Sequence, residues 1–298
     1  MDITGILRRT WEITWRHKGL WVLGILANCS GGQGGSNASR LTEIQSPRDE
    51  FPQLERWVAT IPEETWLAIG LAVLCLVLLL ALLFWVLAAI GNGGIIAAFQ
   101  MAETGEAVSL GSAFQKGLAY LWRLLLLQIV LALATFLILG PTILGGILFS
   151  ILTAGVGLIC LIPLLCLLFP LGIALSLYAQ LAQVALVVDD LDLPGAFLRG
   201  WAVLRARPGE VLIMALLLGV GGFVIGLILA VPFILLAIPL ILSLLAGTDA
   251  SGLAGLSVSL IGILLYLPIL LVASGVLRTF TTGAWTLTYR SLTGAQAA

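Results

Sequence analysis

Few side chains in this sequence could carry out chemistry, and the most closely spaced are three carboxylates, Asp189, Asp190 and Asp192. Acids at such spacing can hold a hard cation. They can equally close a solvated turn and cap the helix that follows, and their place between an apolar run and a new helix favours the second role. The one histidine, His17, stands between Arg16 and Lys18. It is expected at headgroup level, whereas a haem or pigment ligand would lie deeper in apolar surroundings. Cys29, Cys75, Cys160 and Cys166 lack metal-ligand spacing, and three of them lie in apolar runs, where a cysteine acts as a small hydrophobe. Leu26-Ala27-Asn28-Cys29 misses a lipoprotein cleavage box at Asn28. There is no phosphate-binding loop and no nucleophile elbow. The sequence therefore predicts no catalytic residue, no cofactor, no metal and no nucleic-acid partner: the chain is not expected to be an enzyme.

The elements around these residues define a class. Of 298 residues 60% are hydrophobic and 10% charged, against about 25% charged in a soluble domain. With a mean hydropathy of +1.15 and several apolar runs longer than a bilayer requires, the expected fold is all-α: a polytopic helical membrane protein, one membrane domain over residues 1–298. Residues 66–90, 124–139, 155–188, 211–246 and 256–276 read as spans. The run 211–246, uncharged and about 54 Å long as a straight helix, carries Pro232 and Pro239, so a kinked helix and a hairpin are both open. Gly91-Asn92-Gly93-Gly94 reads as a flexible break, and Gly140-Pro141 as an end or bend. Residues 19–27 form a short apolar segment, about 14 Å as a helix, either a sixth span with snorkelling flanks or a piece that dips in and packs on its neighbours. Residues 28–65 are the one long polar loop.

A repeat gives this series a plan. Ala113-Phe114-Gln115-Lys116-Gly117 and Ala196-Phe197-Leu198-Arg199-Gly200 match, and residues 6–16 form a diverged third copy. Each leads an apolar run, which predicts three units, about 1–107, 108–191 and 192–298, each opened by an interfacial amphipathic helix. On a helical wheel Phe114, Leu118 and Leu121 share a stripe, with Lys116 and Arg123 opposite. Phe197, Trp201 and Leu204 repeat it with Arg199 opposite, and Leu7 and Trp11 with Arg9 and Arg16 opposite. Such a helix lies with its apolar face toward the acyl chains and its cations toward phosphate, so Arg9, Arg16, Lys116, Arg123, Arg199 and Arg205 are candidate contacts to anionic headgroups. Gly117 and Gly200 predict close approach to a neighbouring helix. All but three of the 14 basic residues lie on the repeat-helix side; the exceptions, Arg40, Arg48 and Arg56, are in the 28–65 loop with six acids. The positive-inside rule then puts the repeat helices and both termini in the cytoplasm and the loop outside.

The central parts of the spans carry no ionisable side chain, which argues against a proton-coupled pump. Gln128, Tyr178, Gln180 and Gln183 are the candidate intramembrane polar contacts, as interhelical hydrogen bonds or as the lining of a cavity.

Val187-Val188-Asp189-Asp190 followed by Gly195-Ala196-Phe197-Leu198-Arg199-Gly200-Trp201, together with Trp15-Arg16-His17-Lys18-Gly19-Leu20-Trp21, resembles the bacterial polytopic domains found attached to glycerophosphodiester phosphodiesterases. The resemblance implies a bacterial cytoplasmic-membrane location and helix pairs led by interfacial helices. It implies no activity, because the phosphodiesterase domain is missing from this sequence. The expected function is that of a non-enzymatic membrane protein acting through lipid and protein contacts, an accessory or structural subunit with other membrane proteins as partners. The alternative is a carrier for an apolar or neutral substrate.

Overall fold

A computed structural model describes residues 2–28, 63–153, 157–246 and 250–294. Most of the polar loop, residues 29–62, lies outside them, as does Cys29. The described residues form eight helices: α1 (Ile3–Arg16), α2 (Leu20–Asn28), α3 (Glu63–Thr104), α4 (Leu110–Leu152), α5 (Gly157–Val188), α6 (Leu193–Ala206), α7 (Pro208–Ala246) and α8 (Ala250–Thr293). Five of them, α3, α4, α5, α7 and α8, are long and apolar enough to cross a membrane.

Burial is concentrated at one end of the bundle. Every residue from 88 to 99 of α3 and from 282 to 289 of α8 is buried. A helix covered on all sides is a central helix, and these two segments form the axis of a packed base. They meet where Gly283 of α8 lies against the ring of Phe99, with no room for a Cβ. Around them stand α1, α2, the start of α4, the end of α5, and α6. Away from the base the same long helices expose most of their apolar side chains: Leu79 of α3, Phe136 of α4 and Leu264 of α8 are all more than 60% exposed. Those surfaces match a surrounding of lipid tails.

Gly91-Asn92-Gly93-Gly94 corrects the expectation of a break. The helix runs straight through it, and all four residues are buried. Local propensity disfavours glycine in a helix by about 1 kcal/mol, but here the missing side chains let backbones meet. A Cβ on Gly91 would stand 2.7 Å from the Leu23 carbonyl oxygen of α2, and one on Gly94 3.0 Å from the Ala113 carbonyl oxygen of α4. Likewise α4 passes through Gly140-Pro141 unbroken, and α7 is one helix containing Pro232 and Pro239.

The short segment becomes α2, a wedge of nine residues with Leu20, Leu23, Gly24 and Ala27 buried. It packs between α3 and α8. Gly24 faces the Gly275 carbonyl and the Thr279 hydroxyl at a distance that admits no Cβ. The Thr279 hydroxyl donates to the Leu20 carbonyl at 3.0 Å, fixing the crossing. The nine described residues of α2 cover about 14 Å, less than half of a bilayer core of about 30 Å, and Ala27 lies beside Gly91.

Candidate functional site

The three repeat segments gather at the base, and each presents three distinct faces. The first is buried and made of small or β-branched residues: Ile6, Thr10 and Ile13 in α1, Ala113 and Gly117 in α4, Ala196, Gly200 and Val203 in α6. A Cβ on Gly117 would approach the Ile90 carbonyl oxygen to 2.5 Å, and one on Gly200 the Ala182 backbone to 3.1 Å, so the close packing expected of these glycines is realised. Thr10, at the equivalent place in α1, buries its hydroxyl by donating to the Ile6 carbonyl at 2.8 Å.

The second face is apolar and exposed. It carries Trp11 and Trp15 on α1, Phe114, Leu118 and Trp122 on α4, and Leu198 and Trp201 on α6. The stripe seen on the wheel is divided: Leu7, Phe197 and Leu204 are half-buried and pack against the core while Trp11, Phe114, Leu118 and Trp201 are exposed, and the closest helix contacts fall to the small residues about a quarter-turn away. On α1 the tryptophans are held in a chain of ring contacts, Trp11 to Phe280 of α8 at 6.1 Å and Trp15 to Trp21 of α2 at 5.1 Å between centroids. The Trp21 indole donates to the Thr14 carbonyl at 3.0 Å.

The third face is cationic and largely paired. Arg9 binds Glu103 at 2.9 Å and Glu12 at 3.3 Å, Lys116 binds Glu106 at 3.2 Å, Arg123 binds Asp190 at 2.8 Å, and Arg199 meets Asp189 at 3.4 Å. The hydrogen bond that Arg9 donates to Glu103 holds its guanidinium further into its charged form, and a hydrogen bond with Tyr289, then the charge of Asp189, does the same for Arg199. Of the six candidate headgroup contacts, Arg16 and Arg205 are exposed and stand in no ion pair among the described residues.

The aspartate run is the hub of this network. Asp190 occupies the left-handed region at φ 47°, a conformation aspartate tolerates better than most residues, and so turns the chain from α5 toward α6. Asp192 stands at the N-cap position of α6, where its carbonyl accepts from the Ala196 N–H at 2.8 Å but its carboxylate makes no capping hydrogen bond. Asp189 accepts from the hydroxyl of Tyr289, a fully buried residue of α8, at 2.6 Å. One residue earlier, the Val188 carbonyl accepts from the Gln100 side chain of α3 at 3.1 Å. A single turn thus ties α3, α4, α6 and α8 together. Among the described residues no three His, Cys, Asp or Glu side chains converge to hold a metal.

Of the intramembrane polar candidates, Tyr178 is committed to α6: its hydroxyl donates to the Phe197 carbonyl at 3.2 Å, and its ring meets Trp201 edge-on. Gln128, Gln180 and Gln183 are half-buried. One recess among the described residues lies elsewhere, a hollow of about 270 Å³ between α1 and the α3–α4 turn, lined in part by Arg9, Glu12, Arg16, His17 and Glu106. Its mixed charges select no one ligand. Sequence reasoning missed Glu103, Glu106, Gln100 and Tyr289, because acid and hydroxyl partners far apart in the chain leave no local pattern.

Five long apolar helices above a polar, ion-paired base define a polytopic α-helical membrane protein. The chain belongs to a family of unknown function, DUF7544, whose model matches residues 9–287. No curated protein and no solved structure matches it.

Proposed function

We propose that this chain is a non-enzymatic integral protein of the bacterial cytoplasmic membrane that works through contacts with lipid and with other membrane proteins, as an accessory or structural subunit. One observation carries the reading. The repeat segments are gathered at a single end of the bundle, and each turns tryptophan and other apolar side chains outward while Arg9, Lys116, Arg123 and Arg199 are paired with acids of the base. A soluble base would cover those side chains; a base at the bilayer surface has a use for them. The exposed Trp11, Trp122 and Trp201 form an interfacial collar, Arg16 and Arg205 reach anionic headgroups beside it, and the base and both termini face the cytoplasm. The spans above the collar offer apolar flanks to neighbouring subunits.

The test is the depth of the collar. In a variant keeping Trp122 as its sole tryptophan, reconstituted in vesicles, phospholipids brominated near the headgroup should quench its fluorescence more than lipids brominated near the chain end. Equal quenching by aqueous iodide in the presence and absence of lipid would refute the collar. Purification in gentle detergent should retain stoichiometric protein partners, and a monodisperse monomer free of bound protein and lipid would remove the subunit reading.

A further inference from the structure

Among the described residues, Arg278 is a part-buried cation that stands in no ion pair with the carboxylates of the base. Counting along α8 from the exposed end, residues 257–277 carry no charge, and Arg278 is the first charged side chain reached. Counting along α3, residues 66–91 hold no charge and no amide, and Asn92 is the first amide. The two meet across the helices: the Arg278 Nη2 donates to the Asn92 Oδ1 at 3.1 Å. Asn92 is 5% exposed. The Arg278 Nε is sealed from solvent with no acceptor in reach, and Arg278 stands in none of the ion pairs among the described residues. Every ion-paired cation described above has a carboxylate. This one has a neutral amide.

A partly desolvated guanidinium without a counter-ion is costly, and in a membrane protein it marks a place where something else supplies the charge. The level of the residue names the class of ligand. Arg278 ends the uncharged run of α8 on the base side, close to the level expected for the phosphates of that leaflet. Guanidinium N–H groups match phosphate oxygens in spacing and direction. We propose that Arg278, supported by Asn92, is a phosphate-binding site at the foot of the membrane spans. The proposal rests on the membrane reading above, but it concerns an internal site between α3 and α8 rather than the collar.

The experiment compares the wild-type chain with R278Q, N92D and the control R8Q in mild detergent. N92D sets a carboxylate against the guanidinium and so competes with any external anion while keeping the cation. Thermal melting is followed while titrating phosphatidylglycerol, diacylglycerol with the same chains, or inorganic phosphate, and native mass spectrometry counts retained phospholipid. Wild type and R8Q should be stabilised by phosphatidylglycerol and not by diacylglycerol. R278Q and N92D should need about tenfold more lipid or show no shift, the loss of one charge-assisted contact. Stabilisation by phosphatidylglycerol alone identifies a lipid headgroup as the source, and equal stabilisation by inorganic phosphate identifies free phosphate. Phosphate-dependent stabilisation that is the same in all four chains, or absent from all, overturns the proposal. The readout is separable from the membrane reading, because R278Q should show unchanged quenching of Trp122 in vesicles even as its bound phospholipid is lost.

Discussion

The wedge α2 makes the sharpest demand on the structure, and Gly24→Ala tests it. A methyl at this position would overlap the Gly275 carbonyl and the Thr279 hydroxyl of α8. The first obstacle is backbone, so relief requires α2 and α8 to separate rather than a side chain to rotate. Overpacking of this kind costs about 1–3 kcal/mol, and separation also stretches the 3.0 Å bond from Thr279 to the Leu20 carbonyl. Against this, alanine gains about 1 kcal/mol over glycine in helix propensity. The expected net loss is about 1–2 kcal/mol, a fall of about 2–8 °C in melting temperature for a chain of this size. Gly219→Ala is the internal control. Nothing lies within 4 Å of a Cβ there, so only the propensity gain remains and the melting temperature should hold or rise slightly. Both variants are measured side by side by the loss of monodisperse protein on heating in one detergent. Equal melting of Gly24→Ala and wild type, or a larger fall in Gly219→Ala, would show that α2 does not sit in the crevice between α3 and α8.

Three further outcomes follow from other parts of the base. Tyr289→Phe removes a buried donor to Asp189 and should cost about 1–3 kcal/mol, whereas Arg199→Gln, whose side chain is 48% exposed, should cost under about 1 kcal/mol after solvent screening; paired thermal melts decide the ranking, and the reverse order would refute the hub. Gly283→Ala collides with the Phe99 ring, so Phe99→Leu should restore part of the stability lost; a double-mutant cycle is expected to give a coupling of about 0.5–3 kcal/mol, and additivity would place the two residues apart. Asp2 accepts the Gly5 N–H at 3.0 Å, and chiefly through that bond its carboxyl is held below the ordinary value. A carboxylate with a depressed folded pKa contributes at pH above its unfolded value and loses that contribution as pH falls through the folded one. Amide exchange at Gly5, corrected for intrinsic rate, should therefore accelerate on acidification below about pH 4 in wild type and stay level in Asp2→Asn, which keeps a capping oxygen without the charge.

What the sequence disclosed and what it withheld divide along a physical line. The membrane class and the long apolar helices were legible because bilayer thickness fixes the length of an uncharged run, and the matching segments around Gly117 and Gly200 were legible because similar helices need similar faces. Gly117 and Gly200 were readable as contact points for the same reason: a glycine kept beside a cation in two copies has no local use. The failures are cases where a local rule met a tertiary override. Four consecutive residues, Gly91 to Gly94, including Asn92, look like a hinge to any propensity scale, yet they lie in a fully buried stretch of α3 because α2 and α4 come within reach of the backbone itself. The wheel separated apolar from cationic faces correctly and still could not say which apolar face meets protein, since Phe114 and Trp201 are better ligands for lipid than Ala113 and Gly200, while close helix packing has the opposite preference. Where a small-residue face and an aromatic face share one helix, protein takes the small one. That rule, with the pairing of Arg9, Lys116, Arg123 and Arg199 by acids elsewhere in the chain, leaves Arg278 conspicuous: it is part-buried and faces a neutral amide, and so is the first place at which a bound group would change the stability of the fold.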